Sequence, residues 1–255
     1  MKNAGKLQVY RQASSTGAHG DLELALSLLK RTRRDRESPN TEPTPPLLRL
    51  YRPEPTVAFG QRDQRLPGFD AAQKASREAG FTPVVRRAGG RAAAYHACSL
   101  VIDHIESDPD PIRESQARFT AFGELLQEAL CAAGITARLG PVPGEYCYGD
   151  HSVHGISLVD PDRRIKLIGT AQRVINSGWL FSSSIIVEDG APIRAVLSRV
   201  YSELDIPWDP LTAGSATDLG ADVTVETVEQ AVLDVYRQHW SLEEISGPPE
   251  CAASG

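Results

Sequence analysis

The chain has 255 residues and a formal net charge of -6, with 41% hydrophobic and 24% charged residues. This length suits one substantial domain with a sizeable core, and the composition is that of a globular protein. The acidic balance disfavours a general nucleic-acid-binding protein, which needs excess Lys and Arg to displace counterions from phosphate. Residues 1–20 lack the apolar core of a signal peptide, and no apolar run approaches the roughly 20 residues that span a bilayer. We therefore expect a cytoplasmic protein without nucleic-acid or membrane partners.

In the first half of the chain, hydrophobic periodicity and Gly or Pro breaks predict alternating short helices and strands. The charged, proline-rich residues 31–46 are typical of an exposed connector. The predicted elements are a helix over Asp21–Lys30, strands over Leu47–Tyr51 and Thr56–Phe59, a helix over Phe69–Glu78 and a strand over Phe81–Val85.

The second half is richer in strand patterns, and Asp160-Pro161-Asp162 favours a hairpin between two of them. Thr224 is a candidate N-cap of the last helix. The predicted elements are strands over Ser99–Ile105, Val153–Val159, Arg164–Gln172 and Leu180–Val187, and helices over Ser115–Ala133, Ala191–Leu204 and Val225–His239. This order favours an α+β fold with a mainly antiparallel sheet packed by helices. We expect an N-terminal extension at 1–20, one main domain at 21–245 and a flexible tail at 246–255.

A basic loop rich in small residues follows one predicted strand: residues Val84–His96 read VVRRAGGRAAAYH. Paired glycines allow the backbone to approach a ligand closely, and Arg86, Arg87 and Arg91 carry charge that meets a phosphate or another anion. The pattern is also compatible with a plain β-turn and solvated arginines, since it is neither a Walker loop nor a dinucleotide-binding fingerprint.

A lysine in an apolar strand is the second informative feature: residues Arg163–Arg173 read RRIKLIGTAQR, with Lys166 just before a break of small residues. A lysine near an acyl carbonyl can donate a hydrogen bond to the oxyanion that develops during acyl transfer. Read alone, Lys166 is also compatible with a lysine at a strand edge.

Taken together, RRAGGRAAAYH and KLIGTAQ resemble two ordered motifs of the lipoate-protein ligase and octanoyltransferase family, which is related in fold to the biotin protein ligases. The resemblance extends from about Ala58 to Val187, with weaker similarity in VAFGQRDQ at 57–64 and GSATDLG at 214–220. It implies a biotin/lipoate protein ligase-like catalytic domain and transfer of an octanoyl or lipoyl group to a lysine of a lipoyl-type carrier domain.

In that family the loop wraps the acyl chain and the strand lysine contacts the reacting carbonyl. By position, the resemblance implies that Lys166 is catalytic. The implied substrate-binding residues are Arg86, Arg87, Gly89, Gly90, Arg91 and His96 in the loop and Gly169, Thr170 and Ala171 after the lysine.

The family divides into ATP-using ligases and transferases that carry the acyl group on a cysteine. The loop reads GGR rather than GGG, and EYCYGDHS at 145–152 is similar to a C-(F/Y)-x-x-x-S segment of one group of transferases. Cys147 is therefore the expected nucleophile, because a thioester exchanges onto a thiolate with little free-energy change and without ATP. His151, His154 and Lys166 are candidates for activating it.

The remaining candidates favour structural interpretations. Cys98, Cys131 and Cys251 show no C-x-x-C spacing, and the strand after Cys98 favours a structural role for that thiol. His104 and Trp208 are expected to pack or lie at the surface. No Asp, Glu or His spacing supports a metal site, and ATP with Mg²⁺ would be needed only by a ligase.

Two alternatives to the transferase stay open. An ATP-dependent lipoate-protein ligase would bind an acyl-adenylate with the same loop. A lipoyl-binding protein without catalysis is the other, since the chain departs from the family pattern at Ala88, at Ala97-Cys98 and at Phe181–Ser184. The short chain after Val187 favours the transferase, because family ligases often carry a further C-terminal domain. An acyl carrier protein or a lipoyl-type carrier domain is the expected donor and acceptor, and no oligomeric state is predicted.

Overall fold

The computed structural model describes residues 5–33 and 44–249, which form eleven strands and five α-helices. The strands are β1 (Lys6–Arg11), β2 (Leu47–Tyr51), β3 (Thr56–Phe59), β4 (Thr82–Val85), β5 (Ala93–Tyr95), β6 (Ser99–Ser107), β7 (Ala137–Leu139), β8 (Val153–Ile156), β9 (Arg164–Ile175), β10 (Gly178–Ile186) and β11 (Ser241–Ile245). The helices are α1 (Ala18–Lys30), α2 (Phe69–Glu78), α3 (Ser115–Ala132), α4 (Gly190–Glu203) and α5 (Val225–Arg237).

Two sheets divide the strands between them. The large sheet has the order β11-β1-β2-β6-β10-β9-β8-β7, and all of its pairs are antiparallel except β1 with β2 and β1 with β11. The small sheet has the order β4-β3-β5, with β3 parallel to β4 and antiparallel to β5. The α+β class and the mainly antiparallel large sheet are therefore confirmed.

Helices cover both faces of the large sheet because its central strands alternate apolar residues between two buried layers. Phe122 of α3 and Val232 of α5 pack with Phe181 on one face. Leu28 and Leu29 of α1 pack with Leu180 on the other face. Helices α2 and α4 pack on the small sheet, so that this sheet and α1 enclose space above the second face.

A buried ion cluster fixes α1 on that second face. Arg49 of β2 donates to Asp21 of α1 at 3.1 Å and to Asp103 of β6 at 2.9 Å, and all three side chains are almost fully buried. Gln12 completes the cluster by accepting from Arg49 at 2.8 Å and donating to Asp21 at 2.9 Å. Because a buried charge is costly without partners, the cluster defines where α1 sits.

Most sequence-predicted elements match the structure to within a few residues at each end. The antiparallel pairing of β8 with β9 confirms the hairpin at Asp160-Pro161-Asp162. Thr224 caps α5 by accepting a hydrogen bond from the N–H of Thr227 at 3.3 Å, which confirms that prediction as well.

Four strands were missed by the sequence analysis. Strand β1 lies within the residues assigned to an N-terminal extension, yet Leu7 and Val9 are fully buried and join the main core. Strand β11 is mostly exposed and acidic, so its sequence has no alternation of apolar residues that would predict a strand. Backbone pairing with β1 holds it in the sheet. Strands β5 and β7 have three residues each, too few to show a period.

Parts of the chain lie outside the described residues. These parts include most of the predicted connector at 31–46, the end of the predicted tail at 246–255 and Cys251. No described helix is both long and apolar enough to cross a membrane.

Candidate active site

A cavity of about 920 Å³ lies between α1, the loop that joins β4 to β5, and strands β9 and β10. Its size and mixed lining suit an apolar chain with a polar head group. The apolar part of the lining includes Leu22, Tyr51, Ala58, Val84, Tyr95 and Val101. The polar part includes Cys147 and Lys166, so the predicted nucleophile and the predicted catalytic lysine share this cavity.

The structure brings most of the predicted site residues to the cavity wall. Those that line it, besides Cys147 and Lys166, are Arg86, Arg87, Gly89, Gly90, Gly169, Thr170 and Ala171. Arg91 and His96 do not belong to the lining. Their predicted contact with substrate is therefore not supported by the geometry.

The sulfur of Cys147 faces two donors of the loop that joins β4 to β5, residues 86–92, which we call the Gly-rich loop. The backbone N–H of Arg91 donates to Sγ at 3.1 Å, and Nη2 of Arg86 donates to Sγ at 3.5 Å. Arg86 is held in place by a second hydrogen bond from Nη2 to the Arg91 carbonyl at 2.9 Å. The sulfur therefore lies against one backbone amide and one guanidinium, each of which directs a donor toward it.

Cys147 adopts a left-handed backbone conformation with φ 44°, which is uncommon for a residue with a Cβ. Tyr201 of α4 accepts from the Cys147 N–H at 2.7 Å and donates to the Ala92 carbonyl at 2.9 Å. Lys166 donates to the Cys147 carbonyl at 2.8 Å. Both backbone polar groups of Cys147 are thus hydrogen-bonded. The turn formed by residues 145–148, which we call the cysteine turn, is therefore held by Tyr201 and by Lys166.

Lys166 is 2% exposed and makes three hydrogen bonds through Nζ. It donates to Glu145 Oε1 at 2.8 Å, to the Tyr146 carbonyl at 3.0 Å and to the Cys147 carbonyl at 2.8 Å. This lysine therefore organises the cysteine turn. The oxyanion contact expected from the sequence requires Nζ to exchange one of these partners for substrate.

Glu145 is the buried counterion of that lysine. Its Oε1 also accepts from the Ser152 hydroxyl at 2.6 Å and from the Gly149 N–H at 3.3 Å, and its Oε2 accepts from the Val142 N–H at 2.9 Å. The carboxylate thus accepts from a lysine, a hydroxyl and two backbone amides. Glu145 thereby closes the segment from Val142 to Ser152 into a compact loop around Cys147.

Arg91 points its guanidinium away from the cavity, toward Asp63. Its Nη1 lies 3.1 Å from Oδ1 of Asp63, a fully buried carboxylate that also accepts from the Gly60 N–H at 2.8 Å. The pair anchors the Gly-rich loop to the turn after β3. Arg91 therefore contributes its backbone N–H to the sulfur, and its charge to this anchor.

Gly90 is required by close approach at the sulfur. Its φ is 104°, and a Cβ built there would lie 2.8 Å from Cys147 Sγ and 2.5 Å from Arg86 Nη2. Gly89 differs, since a Cβ built there would meet no atom within 4 Å. Only the second glycine of the pair is thus sterically essential at the thiol.

The three histidines near the motifs have other partners. His96 donates from Nε2 to the Asp189 carbonyl at 2.9 Å and accepts at Nδ1 from the Cys98 N–H at 3.1 Å, which joins the end of β5 to the start of α4. His151 lines the cavity but accepts from Gln116 at 3.0 Å and stacks on Phe119. His154 bonds the Gly140 carbonyl at 2.8 Å. Among the described hydrogen bonds, none joins an imidazole to Cys147.

The other predicted assignments concern packing. Cys98 does not line the cavity, and burial raises the pKa of its thiol, with Glu188 and Asp189 adding to the effect. His104 is fully buried in an aromatic cluster with Phe122 and Trp179, and Trp208 packs on Tyr201, as expected of packing residues. In residues 5–33 and 44–249, no group of three His, Cys, Asp or Glu side chains is placed to hold a metal ion.

Three residues of the site had no assigned role in the sequence analysis. Asp63 lies inside the VAFGQRDQ segment, and Glu145 is two residues before the cysteine. The motifs themselves were therefore a signal that could have identified both residues. Tyr201 lies in α4, 54 residues after Cys147, and its helix shows only an amphipathic pattern. Nothing in the sequence marks this tyrosine.

Comparison with known proteins identifies the relatives of this chain. Residues 22–237 match the family model described as the lipoyl protein ligase A/B catalytic domain. An octanoyl-GcvH:protein N-octanoyltransferase of Geobacillus kaustophilus is 26% identical over 201 residues, which cover 78% of this chain and 66% of that protein. The protein of the same description from Exiguobacterium sp. (strain ATCC BAA-1283 / AT1b) is 28% identical over 195 residues, 71% of this chain and 66% of that protein. The chain thus spans about two thirds of the length of these curated relatives.

Solved structures show the same fold. A lipoate-protein ligase A bound with ATP superposes with a TM-score of 0.66 at 17% identity, covering 96% of this chain and 90% of that one. A bipartite lipoate protein ligase from Thermoplasma acidophilum, described with its E2 lipoyl domain, gives a TM-score of 0.63 at 18% identity, covering 96% of this chain and 87% of that one. The fold, and a family match over most of the chain, place this protein in the lipoyl protein ligase A/B catalytic domain family.

Proposed function

We propose that this protein is an acyltransferase that moves an octanoyl or lipoyl group through a thioester on Cys147 to a lysine of a lipoyl-type carrier domain. The observation that carries the proposal is the sulfur of Cys147, which lies at a cavity with apolar and polar walls, against the Arg91 N–H at 3.1 Å and the Arg86 guanidinium at 3.5 Å. The names of the relatives, which specify octanoyl-GcvH as donor and protein as acceptor, support the octanoyl group and a carrier-type partner.

In the first step the Cys147 thiolate attacks the carbonyl carbon of the bound acyl group. The S–C bond forms, and the bond from the carbonyl carbon to the donor's sulfur or nitrogen breaks. That atom takes up the proton that the Cys147 thiol released when it became a thiolate. The buried Nε of Arg86 has no partner among the described residues, so it has a donor free for the oxyanion that develops. Lys166 supplies a second donor if Nζ leaves a backbone carbonyl.

In the second step the neutral amine of a carrier lysine attacks the thioester. The amide C–N bond forms, the S–C bond breaks, and the amine loses one proton as the thiolate returns. No nucleotide is consumed, because the acyl group stays activated on sulfur throughout.

Intact-mass measurement tests the proposal directly. The purified protein is incubated, without ATP, with an octanoyl carrier protein thioester or with octanoylated GcvH, and then treated with hydroxylamine. We expect an octanoyl mass increment with at least one donor, which hydroxylamine removes and which Cys147→Ala abolishes. Cys98→Ala is the matched control and should keep the increment. No increment on wild type, or its persistence in Cys147→Ala, would overturn the proposal.

A parallel reaction separates the other candidate activities. With free octanoate or lipoate, ATP and Mg²⁺, pyrophosphate would exchange into ATP only if the protein were a ligase that forms an acyl-adenylate. Tight binding of the acyl group without adduct and without exchange would indicate a binding protein. We expect neither result.

A further inference from the structure

Tyr201 lies where the cysteine turn meets the Gly-rich loop, outside both sequence motifs. The side chain belongs to α4 and is 2% exposed. Its hydroxyl accepts from the Cys147 N–H at 2.7 Å and donates to the Ala92 carbonyl at 2.9 Å. Both polar capacities of the hydroxyl are therefore used on groups next to the reacting sulfur.

These bonds close a ring with the contact at the sulfur. Ala92 follows Arg91, whose N–H donates to Cys147 Sγ at 3.1 Å, and the Tyr201 hydroxyl joins the Ala92 carbonyl back to the Cys147 N–H. The two loops come from positions 56 residues apart, and the Arg86 guanidinium and the Tyr201 hydroxyl both bridge them beside the sulfur. A change in the hydroxyl would alter the distance between thiol and amide.

The conformation of Cys147 also needs external support. A φ of 44° costs free energy for a residue with a Cβ, so surrounding contacts must hold it. Burial raises the pKa of Tyr201 well above its ordinary value. The hydroxyl therefore keeps its proton near neutral pH and donates to the Ala92 carbonyl.

We infer that Tyr201 is a positioning residue of this active site, which holds the Cys147 sulfur against the Arg91 N–H. The inference deepens the proposed function, because it takes Cys147 as the acyl-carrying residue. It also has a chemical consequence. Since Tyr201 occupies the Cys147 N–H, this amide does not serve the oxyanion, and that task falls to other donors, such as Nε of Arg86.

The test compares Tyr201→Phe with Tyr236→Phe. Tyr236 is a buried tyrosine of α5 whose hydroxyl lies 3.4 Å from His104 Nδ1, and it does not line the cavity. Each variant loses one buried hydroxyl, so their thermal midpoints should lie within about 5 °C of each other. Peptide mass spectrometry measures the rate at which iodoacetamide alkylates Cys147 near neutral pH. Octanoyl transfer at varied carrier concentration gives kcat and KM.

In Tyr201→Phe we expect alkylation of Cys147 near neutral pH to slow about tenfold, the size expected for one lost hydrogen bond. For octanoyl transfer, kcat should fall about tenfold while KM changes less than about twofold. Tyr236→Phe should match wild type in the alkylation rate of Cys147, in kcat and in KM.

Unchanged alkylation and kcat in Tyr201→Phe would overturn the inference, and so would equal losses in both variants. Alkylation needs no acyl substrate, so this readout stands even if wild type forms no acyl adduct. Failure of the proposed function and failure of this inference are therefore distinguishable.

Discussion

The backbone N–H of Arg91 lies 3.1 Å from the sulfur of Cys147, across 56 residues of sequence. The contact is possible because Gly90 turns the chain with φ 104° and offers no side chain toward the thiol. The Gly-rich loop thereby acts on the nucleophile through its backbone, as well as forming part of the cavity wall.

Replacing Gly90 by alanine should damage the site far more than replacing Gly89. At Gly90 a Cβ would crowd Cys147 Sγ and Arg86 Nη2 and would strain a positive φ, whereas at Gly89 it meets open space. We expect Gly90→Ala to lower kcat/KM about 100-fold or more, equivalent to about 3 kcal/mol, and Gly89→Ala to stay within about threefold of wild type. The octanoyl-transfer assay measures both, and equal effects would contradict this account of the loop.

Loss of Lys166 should destabilise the fold as well as stop transfer. Lys166→Met leaves Glu145 as a buried carboxylate without its counterion, which typically costs about 3–5 kcal/mol. Urea unfolding should show this loss, and the double variant with Glu145→Gln should recover part of it while remaining inactive. A double variant less stable than Lys166→Met would show that the pair is not coupled in this way.

Asp63 and Arg91 should act as one unit. The Arg91 side chain is 36% exposed, so the ion pair itself contributes modestly to stability, about 1 kcal/mol or less. Its larger effect is on the position of the Arg91 N–H. We expect Asp63→Ala, Arg91→Ala and the double variant to lower kcat to within about twofold of one another. Multiplicative losses in the double variant would show that the two residues act independently.

Cysteine labelling should follow burial. Burial raises the pKa of Cys98, so at a given pH this residue has less thiolate than an ordinary cysteine and should react slowly. Cys131 is exposed and serves as the internal reference. Peptide mapping after iodoacetamide treatment at about pH 7.5 should show Cys98 labelled more slowly than Cys131, and the gap should narrow as pH rises. Faster labelling of Cys98 would place it in a more open setting than the structure shows.

Local pattern was sufficient for the elements that carry their own signals. The helices at 69–78 and 115–132 and the strands at 47–51 and 56–59 have periodicity or bounding Gly and Pro residues, so they were predicted closely. Strand β1 was not, although Leu7 and Val9 alternate into the core, because it lies in the residues assigned to an extension. Strand β11 was not, because its exposed and acidic sequence is ordered by pairing with β1. Short strands such as β5 have too few residues for a period to appear.

The order of RRAGGRAAAYH and KLIGTAQ predicted the family, and together with the cysteine segment these motifs named Cys147, Lys166 and Gly90 as residues of one site. Those predictions were possible because the motifs are read from residue type and order alone. What each group contacts could be seen only in the folded chain. Arg91 supplies its amide rather than its charge, His96 bonds a backbone carbonyl, and Asp63, Glu145 and Tyr201 hold the sulfur in place. Such contacts join residues far apart in the chain, so they depend on packing and have no local signature.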